Sequence, residues 1–222
     1  ANGFLIGSAM MAHDDLNAAV RRVLLGENKV CGLTREQDAQ AAYEAGAIYG
    51  GLIFVGSSPR AVSDEQARKV IAAAPLSYVG VFRNADIADV TAKAEALSLS
   101  AVQLHGDEDQ AYIDALRAGL APQVQIWKAQ SVGSTLPARN LNHVDKYVLD
   151  NGQGGTGQRF DWSLLNGEAL DNVLLAGGLS PDNCVEAAKT GCAGLDFNSG
   201  VESQPGIKDA SKLASVFKTL RA

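Results

Sequence analysis

Short apolar runs recur along the chain from Lys29 onward, roughly every 20 to 28 residues, with helix-like segments between them. The runs are continuously apolar rather than alternating, as expected for parallel strands that are covered on both faces. The runs are Lys29 to Leu33, Tyr49 to Val55, Tyr78 to Phe82, Ala101 to Leu104, Val124 to Ala129, Tyr147 to Leu149, Asn172 to Ala176 and Gly194 to Phe197. This repeat predicts eight strands that alternate with helices.

Capping signals mark the segments between the runs. Ser or Thr followed three residues later by Gln fits a capping box, and Ser followed by Pro fits an N-cap with proline in the first turn. The pairs are Thr34 with Gln37, Ser63 with Gln66, and Ser180 with Pro181. Glycines stand where helices are predicted to stop, at Gly46, Gly119 and Gly191. These signals support a repeated strand-and-helix unit.

Eight such units between Lys29 and Ala222 predict an α/β fold, a (β/α)8 TIM barrel, with residues 1–28 as an N-terminal extension. A doubly wound open sheet is the structural alternative. In a barrel, active groups should lie at the C-terminal ends of the strands, and phosphate-binding loops should follow the last strands. In the extension, apolar residues near helical spacing predict an amphipathic helix from about His13 to Leu25, packed on the outside of the barrel.

Composition narrows the class of partner. The 222 residues carry a formal net charge of −6, which argues against nucleic acid or an anionic membrane as the main partner. Cys31, Cys184 and Cys192 form neither a disulfide framework nor paired zinc spacing, so a reducing, cytoplasmic setting fits best. The apolar run Phe4 to Ala12 follows no basic segment and is too short to span a bilayer. The start at Ala1 is typical of a processed product or an excised piece.

The predicted sixth strand delivers Asp150 to a glycine-rich loop. Residues without a Cβ allow such a loop to turn several N–H groups toward one anion. The glycines of the loop are Gly152, Gly154, Gly155 and Gly157. Asp161 is predicted to cap the helix that follows. Taken alone, the cluster also fits an ordinary surface loop.

Three further side chains are predicted at the C-terminal ends of strands. Cys31 precedes a predicted helix, whose N-terminus would partly ionise the thiol and suit it to act as a general base; a small buried hydrophobe is the alternative. Arg60, after the second strand, is placed to clamp a carboxylate bidentately, unless it is a solvated surface arginine. His105 ends the fourth strand, and a single histidine at that level assembles neither a metal site nor a Ser-His-Asp arrangement.

Small residues also follow the last two predicted strands. They are Gly177 and Gly178 after the seventh, and Asn198, Ser199 and Gly200 after the eighth. Small side chains let the N–H groups at the start of a helix approach an anion closely. Glycine-bearing loops after strands six, seven and eight therefore predict a phosphate site on one rim of the barrel.

Several motifs in this order resemble those of phosphoribosylanthranilate isomerase, an enzyme of the tryptophan pathway. They are KVCGLT, SSPR, VGVFRN, VQLHG, VLD followed by GGTGQRFDW, LAGGL and DFNSGVES. The match covers residues 29–222 without a departure at a position that matters. Residues 1–28 resemble the last strand and helix of indole-glycerol-phosphate synthase, which precedes the isomerase in a bifunctional enterobacterial enzyme. The resemblance thus implies an isomerase half with a remnant of its partner.

The resemblance also implies a reaction. N-(5-phosphoribosyl)anthranilate would undergo an Amadori rearrangement, without a cofactor or a metal, by general acid and base catalysis. The matching positions are Asp150 as the acid, Cys31 as the base and Arg60 for the anthranilate carboxylate, with His105 in a supporting role at most. The phosphate would lie near Gly155, Gly157, Gly177, Gly178, Asn198, Ser199 and Gly200. The acid needs a raised pKa and the thiol a lowered one. We expect a monomer rather than an oligomer, in the cytoplasm.

Two alternatives stay open at this point. The first is a non-catalytic phosphosugar-binding or docking domain that supports a fused synthase, and the partner-like residues 1–28 motivate it. The second is a related barrel isomerase or synthase that acts on a different phosphosugar. Arg60 distinguishes the second alternative from the isomerase. If Arg60 binds the aryl carboxylate, a phosphosugar without that carboxylate should bind poorly.

Overall fold

The computed structural model describes residues 16–151 and 159–221. Eight parallel strands form a closed barrel in which each strand pairs with its sequence neighbours, and the first strand pairs with the last. They are β1 (Lys29–Val30), β2 (Tyr49–Ile53), β3 (Ser77–Phe82), β4 (Ala101–Leu104), β5 (Gln125–Val132), β6 (Lys146–Asn151), β7 (Val173–Leu175) and β8 (Gly194–Phe197). The predicted (β/α)8 barrel is confirmed, and the open sheet is excluded.

Helices surround most of the barrel. They are α1 (Leu16–Leu25), α2 (Glu36–Ala45), α3 (Asp64–Ala73), α4 (Ile87–Ala96), α5 (Gln110–Gly119), α6 (Cys184–Ala188) and α7 (Ala210–Leu220). Short 3-10 helices span Trp162–Leu165 and Ser199–Val201, and β9 (Glu202–Gln204) pairs with β10 (Ile207–Lys208) in a hairpin after β8.

The prediction of a helix after every strand was wrong in two places. Residues 133–145 between β5 and β6 form turns and irregular structure, and the described residues after β6 contain only the 3-10 helix Trp162–Leu165. Gly133 and Pro137 in the first connection disfavour a helix. Asp161 caps the 3-10 helix as predicted, since its Oδ1 accepts a hydrogen bond from the Ser163 N–H at 2.9 Å.

The other capping predictions have mixed outcomes. Ser63 caps α3 and accepts from the Gln66 N–H at 3.2 Å, as predicted. Thr34 does not cap α2, because its hydroxyl donates instead to the Gly206 carbonyl and the helix begins at Glu36. Ser180 stabilises a turn rather than a helix start, and α6 begins later, at Cys184.

Two apolar layers make up the core. One lies between the strands and the surrounding helices, and the other fills the interior of the barrel. In the interior, Tyr49 and Trp127 meet edge to face with ring centroids 4.8 Å apart. Both residues lie near the N-terminal ends of their strands, so this aromatic pair fills the end of the barrel opposite the strand C-termini.

Helix α1 packs against the N-terminal end of the barrel. The Arg21 guanidinium lies 4.0 Å from the centre of the Tyr43 ring and donates to the Tyr43 carbonyl at 2.8 Å, while Ala19 is buried. The predicted helix on the outside of the barrel is therefore present from Leu16; its predicted first residues lie outside the described part of the chain. Within that part, no helix is long and apolar enough to cross a membrane.

Candidate active site

Residues from five strands meet in one pocket at the C-terminal end of the barrel. Its walls include Cys31 after β1, His105 after β4 and Asp150 in β6. Gly177, Gly178, Asn198 and Ser199 complete the wall on the side of β7 and β8. A wider cavity shares His105, Asp150 and Asn198 with this pocket and extends over β2 to β5, where Arg60 and Arg83 line it. The predicted side chains thus share one end of the barrel.

The Cys31 thiol is buried at the floor of the pocket, with 5% of the residue exposed. Burial raises the pKa of Cys31, while the nearby Lys29 ammonium and, more weakly, Lys208 act to lower it. The expectation of a thiol with a lowered pKa was therefore wrong for the protein without substrate. The cost of desolvating a thiolate exceeds the help from the neighbouring cations.

A buried ion pair lies beside this thiol. The Lys29 Nζ is 2.7 Å from Asp196 Oδ2, and the lysine side chain is fully buried. The two residues are register partners on β1 and β8. On the adjacent strand β2, Gly51 has no side chain, and a Cβ there would stand 2.7 Å from the Cys31 sulfur. That glycine makes room for the thiol and the lysine to lie side by side.

Asp150 projects from the end of β6 into the same pocket. Burial raises the pKa of Asp150 to about 6, and the charge of Asp196 adds to the shift. A hydrogen bond from the Asn151 N–H to Asp150 Oδ1, at 2.7 Å, and the charge of Lys29 work against it. A carboxyl group with this pKa is protonated in about a tenth of molecules at pH 7, which suits it to donate a proton.

His105 is neutral in this setting. Burial lowers the pKa of His105, and the charge of Lys29 lowers it further. The Gln103 side-chain amide nitrogen lies 3.3 Å from His105 Nδ1. With that amide donating, Nδ1 is the acceptor and Nε2 carries the hydrogen. His105 therefore presents an uncharged N–H donor at the rim of the pocket.

Arg60 lines the cavity, but its bidentate partner is within the protein. Its Nε and Nη2 donate to Glu202 Oε1 and Oε2 at 2.9 and 2.7 Å. Lys208 also donates to Glu202, at 2.7 Å, so the hairpin β9–β10 holds the arginine in place. Glu202 thus occupies the Nε and Nη2 edge of Arg60, while Nη1 has no partner among the described residues. The clamp on a substrate carboxylate stays a prediction for the remaining edge of the guanidinium.

The wall at β7 and β8 offers backbone donors. Gly177 and Gly178 have φ angles of 88° and 64°, a left-handed conformation that glycine favours. Within the described chain, the N–H groups of Gly178, Ser199 and Gly200 make no hydrogen bond. At Gly200 a Cβ would stand 2.0 Å from the Leu179 carbonyl oxygen, so the loops after β7 and β8 touch there. Gly155 and Gly157 lie outside the described residues.

Several buried charged residues near the site were not singled out by the sequence analysis. They are Lys29, Glu108, Lys128, Asp196, Glu202 and Lys208. Lys128 on β5 pairs with Glu108 at 2.7 Å and lines the cavity. A signal was available, because Lys128 and Asp196 interrupt apolar strand runs and Lys29 begins one. Charged residues in such runs are buried only when paired.

Comparison with known proteins shows the family of the chain. A family model described as N-(5'phosphoribosyl)anthranilate (PRA) isomerase matches residues 28–219. The chain belongs to the PRA isomerase family. The resemblance predicted from the sequence is thereby confirmed, and so is the assignment as an isomerase.

Similar proteins include one much longer chain and single barrels. The tryptophan biosynthesis protein TrpCF of Salmonella typhi is 79% identical over 222 residues, which are 100% of this chain and 49% of that protein. The chain thus spans about half the length of this curated relative. Phosphoribosyl anthranilate isomerase from Thermotoga maritima superposes with a TM-score of 0.78 at 32% identity, covering 88% of this chain and 98% of that one. A PRA isomerase solved with reduced 1-(o-carboxyphenylamino)-1-deoxyribulose 5-phosphate has a TM-score of 0.74 at 31% identity, with 88% and 98% covered.

Proposed function

We propose that this barrel converts N-(5-phosphoribosyl)anthranilate to 1-(2-carboxyphenylamino)-1-deoxyribulose 5-phosphate, a step of tryptophan biosynthesis. The observation that carries the proposal is the meeting of Cys31 and Asp150 in one pocket. The wall of this pocket at β7 and β8, between the two side chains, carries backbone N–H groups that have no partner among the described residues. A reduced form of this product is bound in a similar PRA isomerase. The proposed reaction uses side chains of this chain and no cofactor.

The two anionic ends of the substrate orient it across the cavity. The phosphate binds to the N–H groups of Gly178 and Ser199, with Gly177, Asn198 and Gly200 shaping that wall. The aryl carboxylate points toward β2 and β3, where the free Nη1 edge of Arg60 and the exposed side chain of Arg83 line the cavity. This arrangement holds an anionic substrate on a protein whose net charge is −6.

The chemistry divides between two groups. Asp150 donates its proton to the furanose ring oxygen, and the ring opens to a protonated Schiff base. Cys31, as the thiolate, removes the proton from C2, and the electron pair of that C–H bond moves toward the cationic imine nitrogen. The enolamine then tautomerises to the ketone. His105 supports these steps through its neutral Nε2–H donor.

The active protonation state is a minority form. It needs a protonated Asp150, whose pKa is about 6, together with an ionised Cys31, whose pKa is raised. The fraction of molecules that carry both is constant between the two pKa values and falls outside them. We therefore expect kcat/KM to be level at neutral pH and to fall as the pH drops below about 6.

We propose that the barrel works as one part of a longer chain. The TrpCF relative is about twice as long and matches this chain over its whole length. On this proposal residues 1–28 belong to the preceding synthase, and residues 29–222 form the isomerase. Helix α1, which packs on the N-terminal end of the barrel, would then join the two parts far from the active site.

A coupled assay tests the reaction. Anthranilate and phosphoribosyl pyrophosphate, with the upstream transferase, generate the labile substrate in place, and its fluorescence decay is followed with and without the protein. We expect the protein to accelerate the decay of the substrate. The accelerated rate should be at least about a hundredfold lower in Cys31→Ala or Asp150→Asn, the lower range for general acid or base catalysis. The matched control is Asp171→Asn, which changes an exposed carboxylate after the 3-10 helix. With this variant the substrate should decay at the wild-type rate.

The failed outcomes separate the alternatives. A folded sample without acceleration would overturn the isomerase proposal. If it still bound a product analogue tightly, the non-catalytic phosphosugar-binding domain would replace it. Turnover of a phosphosugar that lacks the aryl carboxylate, at a rate equal to that of the proposed substrate, would instead favour the related barrel isomerase.

A further inference from the structure

The floor of the pocket contains two charged groups that the proposed mechanism does not use. Lys29 is fully buried and Asp196 is nearly so, and their 2.7 Å contact joins β1 to β8. Asp196 lines the pocket together with Cys31. A buried ion pair adds little to stability compared with apolar residues of the same volume. Its presence under the reacting groups therefore calls for a role other than stability.

The pair is placed to act on the Cys31 sulfur. At Gly51, a Cβ would lie 2.7 Å from the Cys31 sulfur and 3.1 Å from Lys29 Cε, so both side chains border the same gap in β2. The positive charge of the Lys29 ammonium favours the thiolate of Cys31 and so acts to lower its pKa. Asp196 Oδ2 accepts from Lys29, while Oδ1 has no partner among the described residues.

Other charged groups near Cys31 have partners that occupy them. Lys208, from β10, donates to Glu202 at 2.7 Å and to Asn198 Oδ1 at 3.0 Å. Arg60, from the loop after β2, is held by the same glutamate. Asp150 and His105 share the pocket wall, and neither is a cation at neutral pH. Lys29 has the strongest effect of any charged neighbour on the ionisation of Cys31, ahead of Asp196 and Lys208.

We propose that Lys29, anchored by Asp196, is a positioning residue that stabilises the thiolate of Cys31 for removal of the C2 proton. This inference rests on the proposed function. In the base step the thiolate gains the C2 proton, and the C–H electron pair goes to the substrate. Lys29 keeps its own protons throughout and contributes a fixed positive charge. Asp196 prevents the buried ammonium from losing its charge.

The test removes both charges together, so that no unpaired charge is left buried. The variant is Lys29→Gln with Asp196→Asn, in a Cys192→Ala background that removes the half-buried thiol outside the barrel. The rate of alkylation of Cys31 by iodoacetamide, located by mass spectrometry, reports the thiolate fraction. We expect the rate at pH 8 to fall, because the loss of Lys29, which has the larger effect, is only partly offset by the loss of Asp196, which acts in the opposite direction.

Kinetics give a second readout. With a less ionised thiol, the level part of the kcat/KM profile should fall by the same factor as the alkylation rate. Its upper limb should move to higher pH, while the limb near pH 6 stays in place. The matched control is Glu27→Gln with Lys146→Gln, which removes another ion pair from the opposite end of the barrel. That control should leave both the alkylation rate and the profile unchanged.

Two results would overturn the inference. One is a folded double variant that loses activity but alkylates at the wild-type rate, because Lys29 would then act only on the structure. The other is an equal fall in alkylation in the Glu27 and Lys146 control. Failure of the proposed function is distinguishable, since wild-type protein would then show no turnover in the coupled assay while its Cys31 alkylation still responded to Lys29.

Discussion

The two ends of this barrel are built on different principles. At the N-terminal end, Tyr49 and Trp127 fill the interior and α1 covers the outside, with Arg21 bonded to Tyr43. At the C-terminal end, burial raises the pKa of Asp150. Among the described residues, neither Asp196 Oδ1 nor the N–H of Gly178 has a hydrogen-bond partner. The N-terminal end is filled by packed aromatic and apolar side chains, and the C-terminal end keeps polar groups available for a ligand. Stability and activity should therefore respond to substitutions at opposite ends.

The largest expected effect is at the aromatic end. Trp127→Ala removes a fully buried ring and leaves a cavity, so the free energy of unfolding should fall by about 3–5 kcal/mol. Turnover per folded molecule should stay near wild type, because Trp127 lines neither the pocket nor the wider cavity. Denaturant titration and the coupled assay measure the two quantities. Trp127→Phe, which keeps an aromatic edge against Tyr49, should lose clearly less stability; a hundredfold loss of turnover in Trp127→Ala would break the comparison.

A smaller effect of opposite sign is expected at the catalytic end. The folded pKa of Asp150, about 6, lies above its ordinary value of 3.8, so its charge destabilises the fold above pH 6 and not below about pH 4. Asp150→Asn should therefore raise the free energy of unfolding by about 1–2 kcal/mol at pH 8 while turnover collapses. Urea titrations at pH 8 and pH 3.5 measure this difference. A gain of equal size at both pH values would show that the charge of Asp150 is not its cause.

The smallest effect concerns α1. Arg21→Ala removes the contact with the Tyr43 ring and the hydrogen bond to its carbonyl, so stability should fall by about 1 kcal/mol with kcat/KM unchanged. Arg68→Ala, at an exposed arginine on α3, is the control and should change neither. A changed kcat/KM in Arg21→Ala would contradict the separation of the two ends.

The barrel could be predicted from sequence because each parallel strand is a continuous apolar run. Position along the chain then placed Cys31, His105 and Asp150 at strand ends, and these residues do share one pocket. The connections after β5 and β6 were harder, because a regular repeat gives no warning of where one helix is replaced by a loop. In the connection after β5, Gly133 and Pro137 are the residues that indicate a loop in place of a helix.

The sequence did not predict which charged side chains pair with each other or in which direction the pKa of Cys31 shifts. The bond between Arg60 and Glu202 links residues 142 positions apart through a hairpin that the periodicity does not reveal. The sign of the Cys31 shift depends on how far burial outweighs Lys29, and only the three-dimensional surroundings decide that balance. Strand order predicts which groups meet, but it does not predict which of them are already engaged.

The contact between Lys29 and Asp196 also bears on how the protein matures. The two residues are 167 positions apart, on the first and last strands, and they lie on the seam where the barrel closes. A chain growing from the ribosome presents Lys29 and Cys31 long before Asp196, because 167 positions separate the two members of the pair. Until β8 docks, Lys29 has no carboxylate beside it and the floor of the pocket does not exist. If Lys29 acts on Cys31 as proposed, a competent thiol is a property of the closed barrel, and a chain that lacks β8 should be inactive.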